Sequence, residues 1–311
     1  MINIDKKILQ QFHNLPEKII ATIHKDPDYD AIGSLLALNE LITALGKNVT
    51  LYSPDINYKL FEHLPNIKSI KKKSKSRYDL AIFLDCSDKS RIAQPEQFPV
   101  VSTILNIDHH QDNTLFGDLN AMHNISSVGE ILFYFFNALK VPITSKIATF
   151  LYSAICFDTG NFKFSNTSAN TFNVASQLLK TNINASKISE WIFEKKTKNY
   201  FEDIRMGLNN MYLDQEEPFM IIHIPNHLNM SNESTINFFR QFENIELIMV
   251  CKEIKKSEYR ISFRSKQHID VTKIATSFNG GGHRRAAGAT TSSSFNQLKK
   301  KLIELSRQAF K

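Results

Sequence analysis

The chain has 311 residues, of which 42% are hydrophobic and 22% are charged, and its net charge is +7. This composition is typical of a folded globular protein, and the length allows two domains. No apolar run reaches the roughly 18 to 20 residues that a membrane span requires, and the first residues lack the apolar core of a signal peptide. Three cysteines without C-x-x-C spacing argue against a disulfide framework. We therefore expect a cytoplasmic protein that has no membrane partner.

Strand and helix patterns alternate through the first half of the chain. Short apolar runs rich in β-branched residues predict buried strands at 18–23, 49–52, 79–84 and 102–107. Amphipathic periodicity predicts helices at 31–45, 127–139, 144–157, 168–180 and 185–193, the second of them with capping-box spacing from Ser127 to Glu130. Strands separated by helices predict an α/β fold, a mostly parallel sheet with helices on both faces.

The second half restarts with a separate set of strands and helices. Residues 199–213 look helical and carry no strand signal, so we interpret 186–213 as a helical linker between a first domain, 1–185, and a smaller α/β domain, 214–311. The second domain holds 15 Lys and Arg against 10 Asp and Glu, which gives it +5 of the net charge. A basic domain beside an acidic site favours a phosphate-bearing substrate in a cleft between the two domains.

Acidic and histidine side chains follow several of the predicted strands. The segment His24–Ser34 joins a strand to a helix, Asp85 and Asp108-His109-His110 each end a later strand, and Asp158 ends a helix. Ligands of open α/β sheets gather at the carboxyl ends of the strands, and oxygen-rich sites with imidazoles suit manganese or magnesium. The alternative for the first segment is a solvated acidic loop that caps a helix. The repetition at separate strands favours a metal site.

Collected in order, the candidate residues come from four segments of the first domain. They are His24, Asp28, Asp30, Asp85, Asp108, His109, His110 and Asp158. A two-metal phosphoesterase needs such a set, because carboxylates bridge and neutralise two cations and imidazoles complete their coordination.

These segments resemble the motifs of the DHH phosphoesterase superfamily, which is named for Asp-His-His, here Asp108-His109-His110. The segment His24–Ser34 resembles the first motif, although Tyr29 stands where a small residue is usual. Asp85 resembles the second motif and Asp158 the fourth, and Gly280–Gly288 is similar to the signature of the DHH-associated C-terminal domain. The resemblance covers nearly the whole chain, and its compact length is similar to proteins of the nanoRNase/pAp-phosphatase, or NrnA, type.

The resemblance implies a role for each candidate residue. One metal ion would be held by His24, Asp28 and Asp85. The second would be held by Asp30, Asp85, His109 and Asp158. His110 would act beside the reacting phosphate and Asp108 would orient the motif, which makes them the catalytic pair. In the C-terminal domain, the resemblance implies a substrate-binding set of Arg264, Gly280, Gly281, Gly282, His283 and Arg285.

The resemblance also implies an activity. We expect two manganese ions, with magnesium as the substitute, and hydrolysis of short oligoribonucleotides, linear dinucleotides such as pApA, or 3′-phosphoadenosine 5′-phosphate. The alternatives are a cyclic-dinucleotide phosphodiesterase, a RecJ-like single-strand exonuclease and a non-catalytic nucleotide-binding protein. The expected partner is a short RNA or phosphorylated nucleotide, and a homodimer is left open.

Overall fold

The structure is a computed structural model that describes residues 4–75, 77–228 and 232–311, without the side chains of residues 232–234 and His283. The chain divides after Lys195 into two compact units. Among the described residues, every helix is too short or too polar to cross a membrane.

The first unit contains a five-stranded sheet and helices that follow its strands. Its strands are β1 (Ile19–Ile23), β2 (Val49–Tyr52), β3 (Arg77–Leu84), β4 (Val100–Asp108) and β5 (Leu119–Met122). Its helices are α1 (Lys6–His13), α2 (Tyr29–Ala44), α3 (Val128–Ala138), α4 (Ser145–Asp158), α5 (Ala169–Leu179) and α6 (Ala185–Ser189). Short 3-10 turns lie at Ile67–Ser69, Lys89–Arg91 and Pro95–Gln97, and a π-helical segment at Glu190–Glu194.

All neighbouring strands of this sheet are parallel, in the order β2-β1-β3-β4-β5. All five residues of β1 are buried, because a parallel strand with both faces covered has no side that can be polar. The predicted α/β class and parallel sheet are confirmed. The short strand β5 was not predicted, because Leu-Asn-Ala-Met has no clear periodicity.

The two faces of this sheet are covered differently. The α-helices pack on the face that presents Ile19, Ile82 and Ile107. The opposite face presents Ile20 and Phe83 to a smaller cluster, in which the residues from outside the strands include Ile92, Phe98 and Phe116 of the connecting loops. The expectation of helices on both faces is corrected in this respect. The 87–98 connection is too short and too polar for a full covering helix.

The second unit is built on a six-stranded mixed sheet. Its strands are β6 (Met211–Leu213), β7 (Phe219–Ile224), β8 (Leu247–Lys255), β9 (Glu258–Ser265), β10 (Gly281–His283) and β11 (Ala286–Ser292). Its helices are α7 (Lys198–Asn209), α8 (Asn232–Phe239), α9 (Val271–Thr276) and α10 (Phe295–Ala309). The strand order is β10-β11-β9-β8-β7-β6, in which β7 and β8 are parallel and the other neighbours are antiparallel.

The segment 199–213 differs from the purely helical interpretation. It is helical to Asn209 and then forms β6, which pairs with β7. Three residues are too few for a recognisable strand pattern, so only pairing with β7 defines β6. The expected domain boundaries at 185 and 214 and the expected cleft stay predictions.

Candidate metal centre

The parallel register aligns the C-terminal ends of the three central strands. Ile23 of β1 lies opposite Leu84 of β3, and Leu84 lies opposite Ile107 of β4. The next residues along these strands are His24, Asp85 and Asp108. The direction of the strand order reverses between β1 and β3, and open α/β sheets bind their ligands at such a point.

The two carboxylate oxygens of Asp28 have different partners. Its Oδ1 accepts hydrogen bonds from the amides of Asp30 (2.9 Å) and Ala31 (3.0 Å) and so caps helix α2. Its Oδ2 lies 3.7 Å from Nε2 of His24. The capping interpretation and the ligand interpretation of this acidic turn are therefore compatible.

His24 and His109 are oriented in the same way. Nδ1 of His24 donates to the carbonyl of Lys25 at 2.8 Å, and Nδ1 of His109 donates to the carbonyl of Ile125 at 3.2 Å. A carbonyl oxygen can only accept, so each ring presents Nε2 to the carboxylates. Backbone pairing of this kind fixes the tautomer of metal-binding histidines.

Asp85 lies between these two imidazoles. Its Oδ2 is 3.4 Å from Nε2 of His24, and its Oδ1 is 3.5 Å from Nε2 of His109. Its backbone is in the left-handed region, with φ at +55°, which Asp tolerates better than most residues. Asp85 Oδ1 is also buried without a hydrogen-bond partner in the described part of the chain. A buried carboxylate oxygen needs a partner, and a cation would supply one.

Asp30 brings the second carboxylate to the same place from helix α2. It is fully buried and accepts hydrogen bonds from the first amides of helix α3, Val128 at 2.8 Å and Gly129 at 2.9 Å. The partial positive charge of a helix N-terminus stabilises a carboxylate there. Its Oδ2 lies 3.9 Å from Nε2 of His109, so Asp30 joins α3 to the site.

Asp158 completes this side of the cluster. It is the last residue of helix α4, and its Oδ2 lies 3.1 Å from Nε2 of His109. Asn166 donates to the carbonyl oxygens of Asp158 and Ser126, both at 3.1 Å, and so ties the loop after α4 to the segment before α3.

Glu130 connects the segment before α3 to helix α5. The predicted capping box is half formed: the Ser127 hydroxyl accepts from the Glu130 amide at 3.1 Å. The Glu130 carboxylate accepts hydrogen bonds from the hydroxyls of Ser126 and Thr171 instead of returning to the cap. Tertiary contacts have thus redirected a side chain that local spacing assigned to the helix end.

Asp108 holds the other two residues of the Asp-His-His motif in place by hydrogen bonds. Asp108 Oδ1 accepts from Nδ1 of His110 at 2.8 Å and from the amide of His109 at 2.8 Å. Asp108 Oδ2 accepts from the side-chain amide of Asn113 at 2.6 Å, and Asn113 also donates to Asn106 Oδ1 at 2.8 Å. Both oxygens of Asp108 therefore accept hydrogen bonds, and its orienting role stays a prediction.

The charges in this cluster are strongly coupled. Burial raises the pKa of Asp30 well above its usual range, and the Asp85 and Asp158 carboxylates raise it further. Burial also raises the pKa of Asp158 to about 6, although His109 opposes this. For Asp85 the effect of burial is outweighed by His109 and His24, which lower its pKa well below the usual range.

The imidazoles respond in the opposite sense. Burial lowers the pKa of His24, but Asp28 and Asp85 raise it more, to about 12. The pKa of His109 is raised well above the usual value by Asp158 and Asp85 against the effect of burial. Without a cation, the buried carboxylates and imidazoles of this site retain protons to balance their charges. Divalent cations can supply that positive charge instead, so the site fits them.

The structure brings all eight predicted residues of the first unit together. Three groups place possible ligand atoms within 4.8 Å of one another. They are His24, Asp28 and Asp85; Asp30, His109 and Asp158; and Asp85, Asp108, His109 and His110. The oxygen and imidazole donors, the fixed tautomers and the unpartnered Asp85 oxygen fit metal ions of the kind that favours oxygen ligands.

The predicted residues of the second unit gather around one hairpin. Gly281 and Gly282 belong to β10, which pairs with β11, and Arg264 on β9 lies opposite Ala286 on β11. Arg285 is exposed in the turn between β10 and β11. The side chain of His283 lies outside the described residues.

Two of the three glycines have a packing reason. A Cβ at Gly280 would lie 2.2 Å from the carbonyl oxygen of Gly288, and one at Gly282 would lie 2.5 Å from that of Ala286. A Cβ at Gly281 would meet no described atom within 4 Å. The binding roles of Arg264, the glycines, His283 and Arg285 stay predictions.

Sequence reasoning missed the supporting residues Asn106, Asn113, Glu130 and Asn166. Asn106 gave one signal, since it is a polar residue inside an otherwise apolar strand and is fully buried. Tyr29 was singled out only as a departure from the first motif. Its hydroxyl donates to the carbonyl of Leu60 at 3.1 Å, and its ring packs against Phe61.

Comparison with known protein families agrees with this geometry. Residues 18–155 match the DHH family, N-terminal domain, and residues 228–311 match the DHHA1 domain. The chain therefore contains a DHH domain and a DHHA1 domain. The first match contains the cluster except for Asp158, which lies three residues beyond it, and the second contains the β10–β11 hairpin.

Named relatives are similar to this chain along most of their length. The bifunctional oligoribonuclease and PAP phosphatase NrnA of Thermus thermophilus is 29% identical over 274 residues, which cover 87% of this chain and 83% of the relative. A probable NrnA of Streptococcus mutans is 26% identical, over 88% of this chain and 90% of the relative. Among solved structures, an exopolyphosphatase-related protein from Bacteroides fragilis is 20% identical and superposes with a TM-score of 0.88 over the full length of both chains. That likeness establishes the shared fold.

Proposed function

We propose that this chain is a phosphoesterase that uses two divalent cations, manganese by preference, to hydrolyse short oligoribonucleotides, linear dinucleotides such as pApA, and 3′-phosphoadenosine 5′-phosphate. The observation that carries the proposal is the position of Asp85, whose two oxygens face two different imidazoles at 3.4 and 3.5 Å. A carboxylate so placed is suited to bridge two cations. The names of the NrnA relatives supply the substrate class.

In this proposal the chain's own residues hold the cations in two sets. His24, Asp28 and Asp85 hold one. Asp30, Asp85, His109 and Asp158 hold the other. When bound, two such cations supply Lewis acidity toward a phosphate oxygen and toward water.

His110 serves the reacting phosphate. Its Nδ1 donates to Asp108, which leaves Nε2 of the partly exposed ring for a substrate oxygen. Burial lowers the pKa of His110, but Asp108 and Asp85 raise it above the usual value, which favours the charged ring. A charged imidazole can donate a proton or hydrogen bond to the leaving oxygen. Asp108, held by Asn113, keeps the ring in place.

The second unit supplies substrate binding in this proposal. Guanidinium groups bind phosphate oxygens in a planar, two-point fashion, which suits Arg264 and Arg285. Backbone amides near Gly280–His283 can add hydrogen bonds to a phosphate. The three cysteines are free and buried, which agrees with a cytoplasmic location. Association into a homodimer remains part of the proposal and can be checked by sedimentation.

The substrate class is tested by turnover with Mn²⁺ on a panel: pApA, a five-residue RNA, a 24-residue RNA, 3′-phosphoadenosine 5′-phosphate and cyclic di-AMP. We expect fast hydrolysis of the short linear substrates and of 3′-phosphoadenosine 5′-phosphate, with little on the long RNA or the cyclic dinucleotide. Preference for the cyclic dinucleotide or the long strand would overturn the substrate assignment in favour of one of the two enzymatic alternatives. The absence of any turnover, with Mn²⁺ bound, would contradict the proposed activity.

A further inference from the structure

Tyr29 lies in the first motif but belongs to neither of the proposed ligand sets. Asp28, the residue before it, is a proposed ligand of one cation, and Asp30, the residue after it, is a proposed ligand of the other. The amide of Asp30 donates to Asp28 Oδ1 at 2.9 Å, so the three residues share one short turn of backbone at the start of α2. A shift of the Tyr29 backbone therefore moves one ligand of each cation.

The side chain of Tyr29 packs among aromatic rings. Adjacent residues of a helix do not face each other, so the ring acts on its neighbours through the backbone that they share. It is half-buried, lies edge-on to Phe61 at a centroid distance of 5.0 Å and stacks on His63 at 5.5 Å. Aromatic pairs at such distances stabilise a fold beyond the area that they bury. The segment after β2 thus holds one side of the ring.

A third aromatic contact reaches the end of helix α4. The ring of Tyr29 lies 5.8 Å from that of Phe157, and Phe157 directly precedes Asp158. Asp30 and Asp158 are proposed ligands of the same cation although they come from different helices. Because a misplacement of about 1 Å can cost about 100-fold in rate, the spacing of these two helix ends matters for hydrolysis. The contact with Phe157 fixes it next to both ligands.

The hydroxyl of Tyr29 faces two further segments of the first unit. It donates to the carbonyl of Leu60 at 3.1 Å and lies 3.4 Å from the carbonyl oxygen of Trp191. His63, which stacks on Tyr29, also packs on the ring of Trp191 at a centroid distance of 4.4 Å. Trp191 belongs to the π-helical segment Glu190–Glu194, and π-helical turns occur frequently at functional sites.

We propose that Tyr29 is a positioning residue of the metal centre. Its ring holds the start of α2 against the end of α4, and its hydroxyl anchors both to the segments that contain Leu60 and Trp191. The inference rests on the proposed function, since the two cation sets define what Tyr29 positions. It goes beyond that function by giving a role to the residue that departs from the resembled motif. A small residue at position 29 could make none of these contacts.

The test compares Tyr29→Ala with Tyr58→Ala. Tyr58 is the matched control, because it is also half-buried and its hydroxyl also donates to a backbone carbonyl, that of Ile70 at 2.7 Å. Electron paramagnetic resonance measures the affinity for Mn²⁺ and the spin-exchange coupling, and steady-state kinetics on pApA at saturating Mn²⁺ measure kcat and KM.

Loss of a supporting residue costs about 10- to 100-fold in metal affinity or activity. We expect Tyr29→Ala to weaken Mn²⁺ binding and to lower kcat by a factor in this range, with a weaker coupling signal and KM little changed. Tyr58→Ala should lose stability and keep the Mn²⁺ affinity, the coupling and kcat of the original chain.

A second pair of variants removes only the hydroxyl groups and keeps the ring contacts. Tyr29→Phe should lower the Mn²⁺ affinity only about fivefold, the size of one neutral hydrogen bond. Backbone amides of residues 190–194 should exchange their hydrogens faster in Tyr29→Phe, as measured by mass spectrometry, and at the original rate in Tyr58→Phe. This pair decides the test if circular dichroism shows that Tyr29→Ala does not fold.

The two proposals fail in different ways. Unchanged Mn²⁺ affinity, coupling and kcat in Tyr29→Ala, or an equal loss in Tyr58→Ala, overturns the positioning role and leaves the proposed function standing. Where only the second pair folds, unchanged affinity and exchange in Tyr29→Phe overturn the positioning role. Weakened binding and coupling in Tyr29→Ala, when the original chain hydrolyses none of the substrates, supports the positioning role and overturns the proposed hydrolysis.

Discussion

Asp85 has both a strained backbone and a buried charge. It combines a left-handed backbone, a buried carboxylate and an oxygen without a hydrogen-bond partner in the described residues. Such a conformation costs about 1 to 3 kcal/mol and persists where the surroundings over-determine it. Here the neighbouring strand does so, since the Asp85 amide donates to the carbonyl of Ile107 at 3.1 Å. The left-handed backbone directs the Asp85 carboxylate toward His24 and His109, and this placement accounts for the strain.

Asn113 is expected to act through Asp108. Its side-chain amide donates to Asp108 Oδ2 and Asn106 Oδ1, so Asn113→Ala should release Asp108 and let His110 turn. Loss of such a supporting contact costs about 10- to 100-fold in activity. We expect this loss in kcat on pApA with KM little changed, because the residues proposed to bind the substrate are not altered. Steady-state kinetics measure both constants.

The matched control is Asn124→Ala, which removes an exposed amide from a neighbouring loop. It should leave kcat unchanged. A fall in kcat together with a marked rise in KM for Asn113→Ala, or an equal effect of Asn124→Ala, would argue that Asn113 only supports folding.

At the scale of elements, close helix contacts hold the site. Gly129 at the start of α3 lies against α4, where a Cβ would be 2.4 Å from Cβ of Ala154 and 3.1 Å from the carbonyl of Leu151. Gly33 allows the same approach between α2 and α4, since a Cβ there would lie 2.6 Å from the carbonyl of Phe150. Helices α2, α3 and α4 thus meet at the point where Asp30 accepts hydrogen bonds from the first amides of α3.

Gly129→Ala should therefore weaken both fold and site. Overpacking a filled core costs about 1 to 3 kcal/mol, and we expect a loss of this size in the free energy of unfolding, measured with urea. The displaced α3 amides should also lower the affinity for Mn²⁺. Adding Ala154→Gly removes the nearest clash and should restore part of the loss, although glycine within a helix costs about 1 kcal/mol itself. Gly129→Ala with unchanged stability would contradict the packing account.

A partly buried ion pair joins the strand turn of the second unit to its last helix. Asp214 follows β6 and accepts from Arg307 of α10 at 2.9 and 3.2 Å and from the hydroxyl of Tyr212 at 2.9 Å. Burial raises the pKa of Asp214, but Arg307 and the backbone amides of Glu216 and Glu217 lower it more, to about 2. The ionised form is therefore favoured by folding.

The sign of the pH dependence follows from this lowered pKa. The contribution of Asp214 is present above the ordinary value of 3.8 and is lost as pH falls toward 2. Asp214→Asn should cost about 1 to 2 kcal/mol near neutral pH, and its difference from the original chain should shrink between pH 4 and 2. Urea unfolding at several pH values measures this. Glu216→Gln is the control, because Glu216 is 67% exposed in its pair with Arg307 and should matter little.

Much of this arrangement follows from local sequence patterns, and the rest does not. The buried strands β1, β3 and β4 were predictable because continuous apolar runs have few alternatives, and the residues that end them form the centre of the cluster. The strands β6 and β10 are three residues each, and β10 consists mostly of glycine, so neither carries a strand pattern of its own and each is defined by its pairing with the following strand, β7 or β11. The supporting roles of Asn113 and Glu130 were unpredictable because no sequence motif marks the hydrogen bonds that they form with Asp108, Asn106 and Thr171.

At the scale of the whole molecule, charge and cation binding are linked. The first unit places buried carboxylates around His24, whose pKa Asp28 and Asp85 raise to about 12 against the effect of burial. Without a cation, His24 is therefore protonated at pH 7. A cation that binds its Nε2 must displace that proton.

We accordingly expect cation binding to release protons. Titration calorimetry of Mn²⁺ at pH 7 in buffers of different ionisation enthalpy should report at least one proton released per chain. The apparent affinity should rise with pH, since deprotonated ligands are favoured. Binding without proton release would contradict the assignment of His24 as a ligand.

The most direct test of the account is the number and coupling of Mn²⁺ ions bound by the intact chain, measured by electron paramagnetic resonance. If Asp85 bridges two cations, the original chain binds two ions per chain with the spin-exchange signature of a coupled pair. Asp85→Asn then abolishes the coupling and weakens binding, while Asp79→Asn, at the other end of β3, leaves the signal unchanged. A single ion, or two uncoupled ions in the original chain, would contradict the two-metal centre on which the proposed hydrolysis depends.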